Sequence, residues 1–159
     1  VTRTGKNLLS DDPSNYISGY IDASGNEVLS TGSLYTFSNG YIPVNPSEKY
    51  TVSAEMTQKG TSNYAISIAF YKADKSFIER PIAWGPSHIT GRISGTVTSP
   101  ADAKYCRVNI WKSSVGKDFQ LERGAVMTDY EPYQGNTYNI TFPDSAGTVY
   151  GGTLDVVNK

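Results

Sequence analysis

An all-β fold of antiparallel sheets, a sandwich or a barrel, is what this sequence predicts, and three observations predict it. Apolar and polar residues alternate at period two from end to end, while helical periodicity is almost absent. Turn signals rich in Gly, Pro, Asn, Asp and Ser recur between those segments at the spacing of many short strands. Tyrosine, a residue that favours pleated, half-buried surfaces, occurs 12 times. At 159 residues the chain suits one domain that buries its core without a disulfide scaffold.

The elements follow in order. Short strands are expected at Tyr35–Phe37 and Tyr41–Val44, after turns at 23–26 and 38–40. In residues 50–57, Tyr50, Val52, Ala54 and Met56 take one face, and Thr51, Ser53, Glu55 and Thr57 the other. In residues 64–71, Tyr64, Ile66, Ile68 and Phe70 oppose Ala65, Ser67, Ala69 and Tyr71. Weaker strands are expected at Phe77–Arg80 and Ile93–Thr98. In residues 105–111, Cys106, Val108 and Ile110 oppose Tyr105, Arg107, Asn109 and Trp111, and Phe119–Arg123 is the last strand of the series. Each alternating segment reads as a half-buried antiparallel strand. Tyr138–Phe142 and Thr148–Val157, around the turn at 143–147, read as a separate hairpin or junction, so the expected division is 1–134 and 135–159. The chain begins without Met and stops at Lys159, which fits a fragment of a longer protein.

Charge and special residues exclude several function classes. Fourteen Lys and Arg nearly balance fifteen Asp and Glu, so no broad field draws nucleic acid or an anionic membrane, and neither is expected as a partner. No stretch is apolar enough for a membrane helix, and the N-terminus is no signal peptide. Cys106 is the sole cysteine, which rules out an intrachain disulfide and a cysteine zinc cluster; its alternation with apolar neighbours marks a small buried hydrophobe. One His and one Cys in unrelated settings, no nucleophile elbow and no phosphate-cradling loop leave no catalytic constellation, and a non-enzyme is expected.

Three groups of phrases carry a resemblance: Asn7-Leu8-Leu9 with Gly19-Tyr20-Ile21-Asp22; Gly40-Tyr41-Ile42-Pro43-Val44 with Tyr50-Thr51-Val52-Ser53 and Ala69-Phe70-Tyr71-Lys72; and Phe119-Gln120-Leu121-Glu122-Arg123-Gly124 with Thr128-Asp129-Tyr130-Glu131-Pro132-Tyr133. Together they resemble the jelly-roll carbohydrate-binding modules of phage tail and baseplate proteins. They are most similar to modules inserted in evolved distal tail proteins of siphophages of lactobacilli. The resemblance spans about residues 7–133, and the segment 149–155 is similar to sequence that follows such modules. It implies a jelly-roll β-sandwich of two antiparallel sheets, a host cell-wall saccharide as ligand, other tail proteins as partners through the parent chain, and a place at the virion tail tip. The alternative is a spacer or assembly module of the baseplate with no saccharide affinity.

Within that frame, Arg107, Asn109 and Trp111 project from the face opposite Cys106, Val108 and Ile110 and are the types a sugar site uses: indole to stack on a pyranose, guanidinium and amide to meet hydroxyls. Tyr71 and Glu55 join them if their strands neighbour 105–111 in one sheet. The competing reading is that a loop covers Trp111 as a satellite core, and that Arg107 and Glu55 form a structural ion pair. Trp84 and His88, in the stiff loop 81–88, offer either a pocket wall or a plug for one end of the sandwich. No cofactor is expected beyond a structural calcium of the kind jelly-roll modules often carry, with Asp11, Asp12, Asp129 and Glu131 as candidate donors; solvated turn acids explain the same residues.

Overall fold

Period-two alternation of β-branched and aromatic residues folds this chain into strands, and a computed structural model describes residues 5–56, 66–84, 90–115 and 118–134. Among them run β1 (Tyr16–Ile21), β2 (Glu27–Leu29), β3 (Tyr35–Ser38), β4 (Ile42–Pro43), β5 (Lys49–Met56) and β6 (Ile66–Tyr71). They are followed by β7 (Phe77–Glu79), β8 (Ile82–Trp84), β9 (Gly91–Thr98), β10 (Tyr105–Trp111) and β11 (Gln120–Arg123). The larger sheet has eight strands in the order β2-β1-β3-β10-β6-β7, with β4 on β10 and β8 on β6; the smaller has the order β11-β5-β9. Every pairing is antiparallel.

The eight strands expected from alternation are all present among the described residues, with ends that differ by one or two residues; expected strand residues 57, 64 and 65 lie outside the described residues. Three were not anticipated. β1, Tyr-Ile-Ser-Gly-Tyr-Ile, lacks clean apolar–polar alternation, β2 has only three residues, and β8 lies where the prolines suggest a loop. The expected hairpin at 138–157 lies outside the described residues.

The main core lies between the sheets. Val52, Ala54 and Met56 of β5, Ile93 of β9 and Leu121 of β11 meet Ile66, Ile68 and Phe70 of β6 and Cys106, Val108 and Ile110 of β10. A fully buried side chain of this size contributes roughly 1.5–3 kcal/mol of transfer free energy. The sheets touch most closely where β8 lies on β9: a Cβ at Gly95 would sit 1.7 Å from the Ala83 carbonyl oxygen, so only glycine fits there.

A second cluster lies on the other face of the larger sheet. Ile21, Phe37, Ala69 and Tyr71 are buried there, with Tyr41, Phe77 and Tyr105 packed against them. All six residues of β6 are buried as a result, so this sheet has no wet face along its centre. The cover is the β1–β2 hairpin. β1 pairs β3 through Tyr16–Ser18 and β2 through Gly19–Ile21. Its turn is an Asx type in which Asp22 accepts from the Ser24 and Asn26 amides at 2.8 and 2.9 Å. Gly25, at φ +86°, rests directly on the Phe77 ring.

Candidate functional site

Tyr71, Arg107 and Asn109 do share one face, because β6 and β10 are neighbours with Tyr105 opposite Tyr71, Arg107 opposite Ala69 and Asn109 opposite Ser67. That face is roofed. Asn109 grips the hairpin with both ends of its amide: Oδ1 accepts from the Ile21 N–H at 3.0 Å, and Nδ2 donates to the Ile21 carbonyl at 2.9 Å. Arg107 Nε donates to the Ser38 carbonyl, its Nη1 pairs with Glu27 of β2, and its guanidinium lies over the Phe37 and Tyr41 rings at 4.8 and 5.1 Å. Tyr71 packs edge-to-face on Tyr41 and Phe77, and burial pushes its hydroxyl up to about 12.

The structure places the candidate residues as follows. Arg107, Asn109, Tyr71 and Trp111 are all at most 5% exposed, so none offers a sugar contact while the hairpin is seated. Trp111 joins the main core at the point where β10 gives way to the 3-10 turn Lys112–Ser114, and it packs on Tyr35 at 5.0 Å. Glu55 belongs to the other sheet, opposite Arg92 across β5–β9, so it shares no face with Arg107, whose ionic partner is Glu27. Trp84 is half-buried on β8 against the main core, which makes it sandwich packing; His88 lies outside the described residues. Two physical reasons apply: alternation separates the faces of a strand without saying whether water or protein covers each, as for Arg107, Asn109 and Tyr71, and it does not say which strands are neighbours, as for Glu55.

The outer face of the smaller sheet shows what the most distinctive phrases do. Gln120 and Glu122 of β11 point away from Phe119 and Leu121, yet they are 0% and 2% exposed. The segment 125–134 lies over them as a strap. Glu122 accepts from the Thr128 amide at 2.9 Å, the Thr128 hydroxyl at 2.6 Å and the Gln120 amide at 2.9 Å. Gln120 Oε1 accepts from the Glu131 amide at 2.9 Å. Tyr130 lies against the Arg92 guanidinium at 5.9 Å and donates its hydroxyl to Asp11 at 2.6 Å. At the other end of the chain, Asn7 accepts from the Leu9 and Leu121 amides and donates to the Phe119 carbonyl. The Lys6 amide donates to Glu131. The two ends of the domain are thus clasped together over β11. The Gln-x-Glu and Thr-x-Tyr-Glu pattern is the sequence signal for this clasp.

Beside the clasp opens a cleft of about 340 Å³, walled by the N-terminal segment (Leu8, Ser10, Asn15, Tyr16), the β3–β4 connection (Ser38, Gly40, Tyr41, Ile42) and Tyr133 of the strap. None of its lining residues, among those described, is charged. Three tyrosines give it aromatic surface. Ser10 Oγ accepts from the Asp12 amide and from Asn15 Nδ2, which leaves its own proton to donate outward. No described hydrogen bond engages Asn15 Oδ1 or the Tyr41 hydroxyl. Tyr16 donates to the Ser10 carbonyl, and burial, then Asp11 and Tyr133, push its hydroxyl well above the usual range, so it stays neutral. The Tyr41 ring already lies against the Arg107 guanidinium and Lys75 Nζ at 5.1 and 5.0 Å, so what the cleft offers chemically is hydroxyl and amide groups for neutral hydrogen bonds beside partly apolar walls.

Of the candidate calcium donors, Asp11 Oδ2 accepts from Tyr130, Asp12 caps the Pro13–Asn15 turn, Glu131 accepts from the Lys6 amide and the Asp129 carbonyl accepts from Lys6 Nζ, while Asp11 Oδ1 is buried without a hydrogen-bond partner among the described residues. Among the described residues, no three of His, Cys, Asp and Glu converge. Searches against protein-family models and against curated proteins find no match for this chain.

Proposed function

We propose that this domain is a non-catalytic, jelly-roll carbohydrate-binding module that attaches a phage tail tip to host cell-wall polysaccharide, with the tyrosine-lined cleft as its sugar site. The observation that carries the reading is the cleft of about 340 Å³, with Tyr16, Tyr41 and Tyr133 on its walls and no charged side chain among its described lining residues. A neutral polyhydroxyl ligand asks for apolar ring surface and for hydroxyl and amide partners without fixed charge, and such sites are concave and mostly preformed. The tail setting rests on the phrases in residues 7–133. The latest of these build the clasp, so they speak for shared architecture rather than for a particular sugar.

The rival reading is an assembly module. The exposed Leu29, Leu34, Val126 and Met127 favour it, since apolar side chains this open suit contacts with neighbouring proteins. Cells separate the two. A single site near 1 mM is worth only about −4 kcal/mol, and multimerisation adds roughly a hundredfold or more. A multimerised fluorescent fusion is therefore expected to decorate host cells selectively. Asn15→Ala should weaken decoration. Gly40→Arg, at a position where a Cβ meets no atom within 4 Å, should abolish it without unfolding the domain. A folded multimer that ignores every strain tested would instead support the assembly module.

A further inference from the structure

The cleft and the clasp share a wall. Tyr133 lines the cleft, and it follows directly on Thr128, Tyr130 and Glu131, the residues by which the strap is held to Glu122, Asp11 and Gln120. The opposite wall, from Leu8 to Tyr16, is the stretch that Asn7 pins to β11 and that carries Asp11. Two of the three walls are therefore set by segments held in the clasp, the third being the β3–β4 connection, so the placement of Tyr133 against the 8–16 stretch depends on clasp closure. The strap is held by side-chain hydrogen bonds, from Thr128 and Glu131 to β11 and from Tyr130 to Asp11, and not by strand pairing. Such a segment opens more readily than the core strands beneath it.

We infer that saccharide binding and clasp closure are thermodynamically linked: Gln120, Glu122 and Thr128 are positioning residues for the sugar site, and an occupied cleft holds the ends of the domain together. This rests on the saccharide reading of the cleft. A ligand that binds only the clasped form shifts the equilibrium toward it, and the coupling is reciprocal: whatever loosens the clasp weakens binding by the same factor by which binding tightens the clasp.

The test uses the whole 159-residue chain and the neutral oligosaccharide fraction of wall polysaccharide from a strain that the fusion decorates. Hydrogen exchange reports the clasp through the Thr128 and Glu131 amides, which donate to Glu122 and Gln120. The Ile21 amide, held by Asn109 in a different part of the fold, is the internal control. Saccharide is expected to slow exchange at Thr128 and Glu131 about fivefold or more, with Ile21 unchanged, and Thr128→Val should raise Kd by a similar factor. A purely structural role for Thr128 would lower stability without making its amide sense the sugar. If saccharide binds the wild type and is blocked by Gly40→Arg, yet leaves both strap amides unaffected, the linkage is wrong and the binding site stands. If binding survives Gly40→Arg, the site lies elsewhere and the linkage falls with it. If no strain is decorated and no fraction binds, the saccharide reading itself has failed.

Discussion

Glu122 is a carboxylate almost fully withdrawn from water, and its environment decides whether that is a cost. Burial alone pushes its proton affinity up; the Thr128 hydroxyl and amide, the Gln120 amide and the charge of Lys6 outweigh this and hold it below the ordinary glutamate range. A carboxyl whose affinity for protons is lowered by folding stabilises the native state above its unfolded value, and that contribution is lost as pH falls through the native one. Two outcomes are expected from denaturant titrations. Glu122→Gln should cost about 1–2 kcal/mol at neutral pH, since charge-assisted bonds become neutral ones. The difference between wild type and variant should shrink as the pH is lowered from about 6 to about 3.

At the scale of elements, the β1–β2 hairpin has the widest consequences. It converts one face of the central strands from a surface into a second core, and it does so with a small set of contacts: the Asn109–Ile21 pair, the Arg107–Glu27 pair and Gly25 on Phe77. Gly25 is bound by two constraints at once. Its φ of +86° disfavours any side chain, and a Cβ would meet the Phe77 ring at 2.3 Å. Gly25→Ala is expected to destabilise the domain by about 1–3 kcal/mol, measured by chemical denaturation. Part of that loss should appear as faster exchange at the Ile21 amide, because lifting the turn loosens the hairpin that Asn109 grips.

For the molecule as a whole, the central position of β10 makes Cys106 a reporter of global opening. It is 1% exposed, packed in the main core, and burial pushes its thiol well above the usual range. Thiolate, the reactive form, is thus suppressed both by access and by protonation. Labelling by a thiol reagent is expected to be negligible in the native state and to track global unfolding across a denaturant series. Fast labelling under native conditions would mean that the two sheets separate locally.

The sequence by itself determined the class of fold and the main core. Tyr50 to Met56, Ile66 to Phe70 and Cys106 to Ile110 keep a strict period of two, and a strand that buries one face writes that period directly into its residues. It did not determine which strands are neighbours, so Glu55 could be placed beside Arg107 on paper while the fold puts it in the other sheet. Nor did it show that Arg107 and Asn109 are covered, because a polar residue satisfied by a distant backbone looks the same in sequence as one satisfied by water. Burial of those side chains, the joining of the strap to residues 6–11, and the cleft formed by residues 8–16, 38–43 and 133 all depend on contacts between residues far apart in the chain. Local alternation carries no record of such contacts, and only the tertiary structure decided them.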